Sequence, residues 1–172
     1  SLGSNGNGAT ISGVTEVPAV DGKASFGDVR MDIAGDGYTL QFVAAGLISV
    51  LSSPFSVVSG AAVQLVIDTQ PGNSAGGIPL AQQPSVKGID LGGNAATGMG
   101  GTISVSILEQ EVGAVLSGQT VMTPTDGRAL FTDLRIDKAG TFHLSFLSSE
   151  FDSPVQSSAV VISAGSALSL EL

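Results

Sequence analysis

The chain has 172 residues, 42% of them hydrophobic, which is enough to bury a core and sets global disorder aside. Six lysines and arginines against 15 acidic residues leave a net charge of −9, which argues against nucleic acid or an anionic membrane as a partner, since both select a basic face. There is no cysteine, so disulfides, thiolate metal sites and a cysteine nucleophile are excluded.

Apolar residues alternate along the chain instead of recurring at helical spacing, and glycines and serines separate short β-branched runs. This is the pattern of an all-β protein. Residues 1–7 (SLGSNGN) read as a loose leader, and 10–15 as a short strand or its edge. Asp21-Gly22 is a turn dipeptide ahead of a strand within 23–33 that includes Phe26 and Val29. Gly35-Asp36-Gly37 turns into 38–43, where Tyr38, Leu40 and Phe42 share one face. The apolar stretch over 42–58 is broken by Gly46, by serines and by Pro54. It falls short of the roughly 20 residues a membrane helix needs, so membrane insertion is not expected. Residues 55–58 close the first unit.

Further strands are expected at 63–68, 86–91 and 102–108, the last with Ile103, Val105 and Ile107 inward. A brief pairing is open at 78–80. Residues 115–122 form a shorter strand, and Asp126-Gly127 turns into 128–136. Over 141–147, Phe142, Leu144 and Phe146 share a face; 158–163 ends the set, and 168–172 starts another strand. About seven strands in some 105 residues is the count of an immunoglobulin-like sandwich.

The chain also repeats itself. Residues 8–35 (GATISGVTEVPAVDGKASFGDVRMDIAG) align with 113–140 (GAVLSGQTVMTPTDGRALFTDLRIDKAG) at an offset of 105, with 14 of 28 positions identical. The alignment continues after a one-residue slip, placing Tyr38, Leu40 and Phe42 on Phe142, Leu144 and Phe146, and Val57 and Val58 on Val161 and Ile162. The offset of 105 returns at Gly60 and Gly165, and Ala62–Leu65 (AVQL) falls on Ala167–Leu170 (ALSL). A period of this length signals sandwich modules in series. The expected division is the later strands of one repeat in 1–60, a complete repeat in 61–165, and in 166–172 the first strand of a third.

The order of motifs resembles the tandem immunoglobulin-like repeats of very large bacterial surface and secreted proteins. It is carried by TQPGNSAGG (69–77), PSVKGIDLGGN (84–94), LSG (116–118), DGRALFTDLRIDKAGTFHL (126–144) and VVIS (160–163). The earlier copy, GDVRMDIAGDGYTL (27–40), keeps the family's Gly-Tyr-Thr-Leu ending, which the later copy shortens to Thr141-Phe142-His143-Leu144. The resemblance implies the fold and an extracellular or cell-surface bacterial setting, and it is compatible with spacers, adhesin stalks and fibres alike. Gly88 departs from the β-branched residue usual there, which weakens that strand or lets something pack close.

Few residues suggest chemistry. Asp28, Asp32, Asp133 and Asp137 recur in both copies, and clustered carboxylates at a turn are a candidate Ca²⁺ site. The plain alternative is that Asp28 and Asp133 bond to turn backbone while Asp32 and Asp137 face Arg30, Arg135 or Lys138. Apart from that calcium candidate, no cofactor is expected. His143, the one histidine, is expected to point outward from its strand. There is no Gly-x-Ser-x-Gly elbow, and Gly98-Met99-Gly100-Gly101 precedes a strand, not a helix. Glu109 and Glu111 read as one solvated strand face. With no tryptophan and one tyrosine, aromatic platforms for sugars are lacking.

The expected role is therefore mechanical: a non-enzymatic structural repeat, a stalk, sheath or filament subunit, whose partners are neighbouring repeats or copies of itself. Ala167, Leu168, Ser169, Leu170, Glu171 and Leu172 form a spare first strand that could complete an open sheet in a neighbour, giving head-to-tail assembly. The plainer explanation of the two incomplete ends is that 1–172 is a piece of a longer chain. An adhesin-type module binding a ligand or receptor through loops 72–82 or 92–101 is the alternative.

Overall fold

The computed structural model describes residues 1–4, 8–108 and 113–165. It is all-β, with no helix among the described residues and hence none long and apolar enough to cross a membrane. Two compact units separate by their contacts. The first holds Ser1–Gly60 together with Asp90–Asn94, and the second holds Ala61–Ile89 and the chain from Ala95 onward.

In the first unit the strands are β1 (Leu2–Ser4), β2 (Ile11–Ser12), β3 (Arg30–Met31), β4 (Gly35–Phe42), β5 (Val50–Leu51) and β6 (Phe55–Val57). Strand β4 is the spine: it pairs antiparallel with β1, β5 and β6, while β2 pairs with β3. The leader is not loose over Leu2–Ser4. Leu2 sits opposite Leu40, so that short stretch is a strand.

The second unit contains β7 (Gln64–Thr69), β8 (Ser74–Ala75), β9 (Ser85–Ile89), β10 (Ile103–Ile107), β11 (Leu116–Ser117) and β12 (Val121–Met122). It continues with β13 (Arg128–Leu130), β14 (Arg135–Ile136), β15 (Gly140–Phe142), β16 (Leu144–Ser148), β17 (Val155–Gln156) and β18 (Val160–Ser163). One sheet runs β13–β9–β7 and the other β12–β10–β16–β17; β11 pairs with β14, and β15–β18–β8 closes the flank with β8 parallel to β18. Alternation puts Val86 and Leu65 of the first sheet against Ile103, Val105, Leu144 and Phe146 of the second, all buried. Phe131, Leu134, Ile136, Phe142 and Val160 complete that core.

The sequence repeat is a repeat of hydrogen bonds. Ile11 faces Met31 as Leu116 faces Ile136, each pair displaced by 105. Gly35 faces Val57 as Gly140 faces Ile162, and Phe42 faces Val50 as Phe146 faces Val155. These pairings correct the alignment above. Val57 matches Ile162, not Val161, so the one-residue slip ends between Phe42 and Val50, not at Gly60. A serine marks the same corner in both copies. Ser52 Oγ accepts from Leu40 N and donates to Ser53 O, and Ser157 Oγ does the same with Leu144 N and Ser158 O.

The copies differ where strands are lacking. In the second unit Arg128–Leu130 is a strand because it pairs with β9, Ala129 facing Val86. The matching residues 23–25 form no strand, and no described strand lies alongside them. The expected strand within 23–33 therefore reduces to Arg30–Met31. The expected strand over 115–122 is likewise broken, into β11 and β12, at Gly118, whose φ of 105° lies in the left-handed region. A Cβ there would strike the Asp133 carbonyl oxygen, and one on Gly13 (φ 90°) would strike that of Asp28.

Candidate functional site

The recurrent aspartates are bound to the backbone. Asp28 Oδ1 accepts from Val14 N at 2.8 Å and Asp133 Oδ1 from Gln119 N at 2.8 Å. Asp32 Oδ1 accepts from Thr10 N at 2.6 Å and Asp137 Oδ1 from Val115 N at 2.7 Å. The four aspartates flank β3 and β14, and each ties the amide of an earlier segment to that flank. Asp32 and Asp137 thus hold backbone amides, as Asp28 and Asp133 do. Thr10 also donates its hydroxyl to Asp32 Oδ2 at 2.7 Å, and this bond, ahead of the Thr10 amide, lowers the Asp32 pKa below its ordinary 3.8. No cluster of three or more potential metal ligands occurs among the described residues.

Two carboxylates that sequence reasoning gave no role are the most engaged. Asp90 opens the Asp-Leu-Gly-Gly-Asn turn. Its Oδ2 accepts from Gly60 N at 2.7 Å, and its Oδ1 from Gly92 N and Asn94 N, both at 2.9 Å. The Asn94 amide lies across both oxygens, and that bond is the largest cause of a lowered Asp90 pKa. Asn94 also donates to Asp32 O at 2.7 Å and accepts from Ala34 N at 2.8 Å, bracing the first unit between β3 and β4. The signal was an Asp four residues ahead of an Asn with glycines between, which is the composition of a side-chain-closed turn. Asp68 on β7 bridges two strands of its sheet, with Lys87 Nζ and Arg128 Nη2 each at 2.8 Å from one of its oxygens. The Lys87 bond leads in lowering the Asp68 pKa. Alternation along three paired strands brings these charges together, and no local motif announces it.

His143 lies half-buried between β15 and β16, its carbonyl accepting from Leu108 N at 2.8 Å. Gly88 is buried, with Met99 Sδ and Ala62 Cβ each 2.9 Å from where its own Cβ would stand, so close packing explains the departure at this position. Glu109, Glu111 and Ala167–Leu172 lie outside the described residues.

The remaining feature is apolar. In the second unit Phe131 and Phe146 are 2% and 0% exposed, whereas their counterparts Phe26 and Phe42 are 36% and 37% exposed. Val50 and Val20 of the first unit are exposed as well. An open cleft of about 480 Å³ is lined by Val17, Pro18, Val20, Lys23 and Ser25.

No family model matches the chain, and no curated protein sequence matches it. Among solved structures, the D00-D0 domain of Intimin is similar over 90% of this chain and 78% of that one, with 19% identity and a TM-score of 0.45. Domains 1-6 of the surface layer protein SbsC are similar over 84% of this chain, with 17% identity and a TM-score of 0.41; the match spans 18% of that structure.

Proposed function

We propose that the chain is a structural immunoglobulin-like repeat of an extracellular bacterial surface protein or filament, a stalk, sheath or fibre subunit whose partners are neighbouring repeats or copies of itself. The observation that carries this reading is the bond-for-bond duplication at a spacing of 105 residues, from the Asp28 and Asp133 corners to the Ser52 and Ser157 corners. Its recurrent carboxylates hold backbone amides, which suits a load-bearing module better than a catalytic one. The motif order supports the bacterial surface setting.

Single-molecule stretching tests the mechanical role. The second unit is expected to unfold in one step, lengthening by roughly 35–38 nm as about 105 residues extend. A smooth extension without a force peak refutes the reading.

The finer element of the proposal is head-to-tail assembly through Ala167–Leu172, which repeat the opening residues of the second unit. Electron microscopy of the chain with and without these six residues tests it. Fibres that survive the deletion, or a monomer in both cases, rule out strand donation.

A further inference from the structure

We infer that residues 70–75 and 158–163 form the mechanical clamp of the second unit, the set of bonds that must break before it unravels under tension. The inference deepens the structural role proposed above and rests on it. Within the clamp, Ile162 faces Ser74 and Ser163 faces Ala75 in the parallel pair of β18 with β8. Pro71 has no N–H, so a backbone ladder does not run on through the residues before β8. Side chains continue it instead. Asn73 Oδ1 accepts from Val161 N at 2.8 Å, and Gln70 Oε1 accepts from Ser158 N at 2.9 Å and from the Ser158 hydroxyl at 3.2 Å. These pairs keep the spacing of 88 residues that separates Ser74 from Ile162. At the other end Gly76 N donates to Ser163 O at 3.0 Å, and the Ser163 hydroxyl donates to Ser74 O at 3.3 Å. The TQPGNSAGG motif (69–77) thus turns a pairing of two residues into a ladder along the whole of 70–75.

Direction decides how this ladder carries load. Segment 70–75 comes early in the second unit and 158–163 comes late. Because the two run parallel, the leading end of the first and the trailing end of the second lie at opposite ends of the ladder. Stretching the unit therefore slides them past each other along their length, and the bonds between them share the load. The same segments in antiparallel order would peel apart one bond at a time. The early segment is also anchored from behind. Gly77 N donates to Ile136 O at 2.8 Å and Leu80 N to Leu134 O at 2.9 Å, while Gln83 Oε1 accepts from Leu134 N at 2.9 Å. Gln70 and Asn73 are exposed, so water competes for their bonds and their share of equilibrium stability is small. Forced unfolding follows the unfolding rate instead, and there the same bonds stand in the way.

The test stretches the full chain across the clamp. The chain has no cysteine, so Ala61→Cys and Ala164→Cys, at two exposed positions, supply unique handles. Held between them at constant force, a Gln70→Ala/Asn73→Ala chain is expected to unfold its second unit at least about tenfold faster than the parent. In urea without force it is expected to unfold no more than about threefold faster. A Gln70→Glu/Asn73→Asp chain keeps both acceptor oxygens and is expected to stay within about threefold of the parent under force. Circular dichroism checks that each chain is folded before it is pulled. Equal acceleration with and without force, no acceleration under force, or as large an acceleration in the carboxylate chain would each overturn the inference and leave the structural role standing. A parent chain that extends without a force step overturns both.

Discussion

Phe42 packs against Phe26 with the ring planes tilted by 50°, as Phe146 packs against Phe131 at 53°, yet the first pair is more than a third exposed and the second is buried. The same two residues, in the same register, thus serve as core in one unit and as surface in the other. What differs is the sheet across from them.

The energetic consequence can be measured. Phe146→Ala is expected to cost about 3–5 kcal/mol, the sum of lost transfer energy and a cavity. Phe42→Ala is expected to cost about 1–2 kcal/mol, since much of its surface already meets water. Urea unfolding followed by circular dichroism compares the two; equal losses would mean that Phe42 is covered in solution.

Gly88→Val sets a branched side chain whose Cβ would lie 2.9 Å from Met99 Sδ and from Ala62 Cβ. Overpacking of this kind is expected to cost about 1–3 kcal/mol. Adding Met99→Ala should return part of the loss by vacating the space. A thermal melt of the single and double variants measures both.

Ser157 is buried, and its hydroxyl satisfies Leu144 N at 2.9 Å. Ser157→Ala leaves that amide without its side-chain partner and is expected to cost about 1–3 kcal/mol. Ser52→Ala, at the half-buried copy of the same corner, should cost less, because water reaches Leu40 N. The two urea midpoints decide it.

Asp68 gives the second unit an acid sensitivity. Its folded pKa lies below the ordinary 3.8, held down first by the Lys87 bond. A depressed carboxylate stabilises the fold above the unfolded value, and that stability is lost as the pH falls through the folded one. Asp68→Asn should therefore be less stable than the parent at neutral pH, and the gap should close below about pH 4. Urea midpoints across that range provide the measurement; a constant gap would assign the loss to packing instead.

Asp133 accepts the Gln119 amide, a role that asparagine can keep. Asp133→Ala is expected to lower the melting temperature more than Asp133→Asn. Millimolar calcium is expected to leave the parent melt unchanged, since the recurrent aspartates each hold a backbone amide. A calcium-dependent rise lost in both variants would instead restore the metal reading of these residues.

Much of this was legible along the chain. Alternation placed Phe142, Leu144 and Phe146 on one face, and Asp-Gly at 21–22 and 126–127 marked two turns whose aspartates carry φ of 52° and 49°. Local chemistry fixes such features. Strand status at 23–25 and 128–130 was not legible, because the two segments are similar in sequence and differ in whether a partner strand lies alongside. For the same reason Leu2–Ser4 read as leader although it pairs with β4.

By itself the sequence determined the all-β character, the spacing of 105 residues between copies and the inward faces of the main strands, since alternation and turn dipeptides act over a few residues. Only the tertiary structure decided that Asp32 and Asp137 hold the amides of Thr10 and Val115, that Asp68 gathers Lys87 and Arg128, and that Phe42 meets solvent where Phe146 does not. Each of these depends on which distant segment lies across from a residue, and local residue type does not encode that.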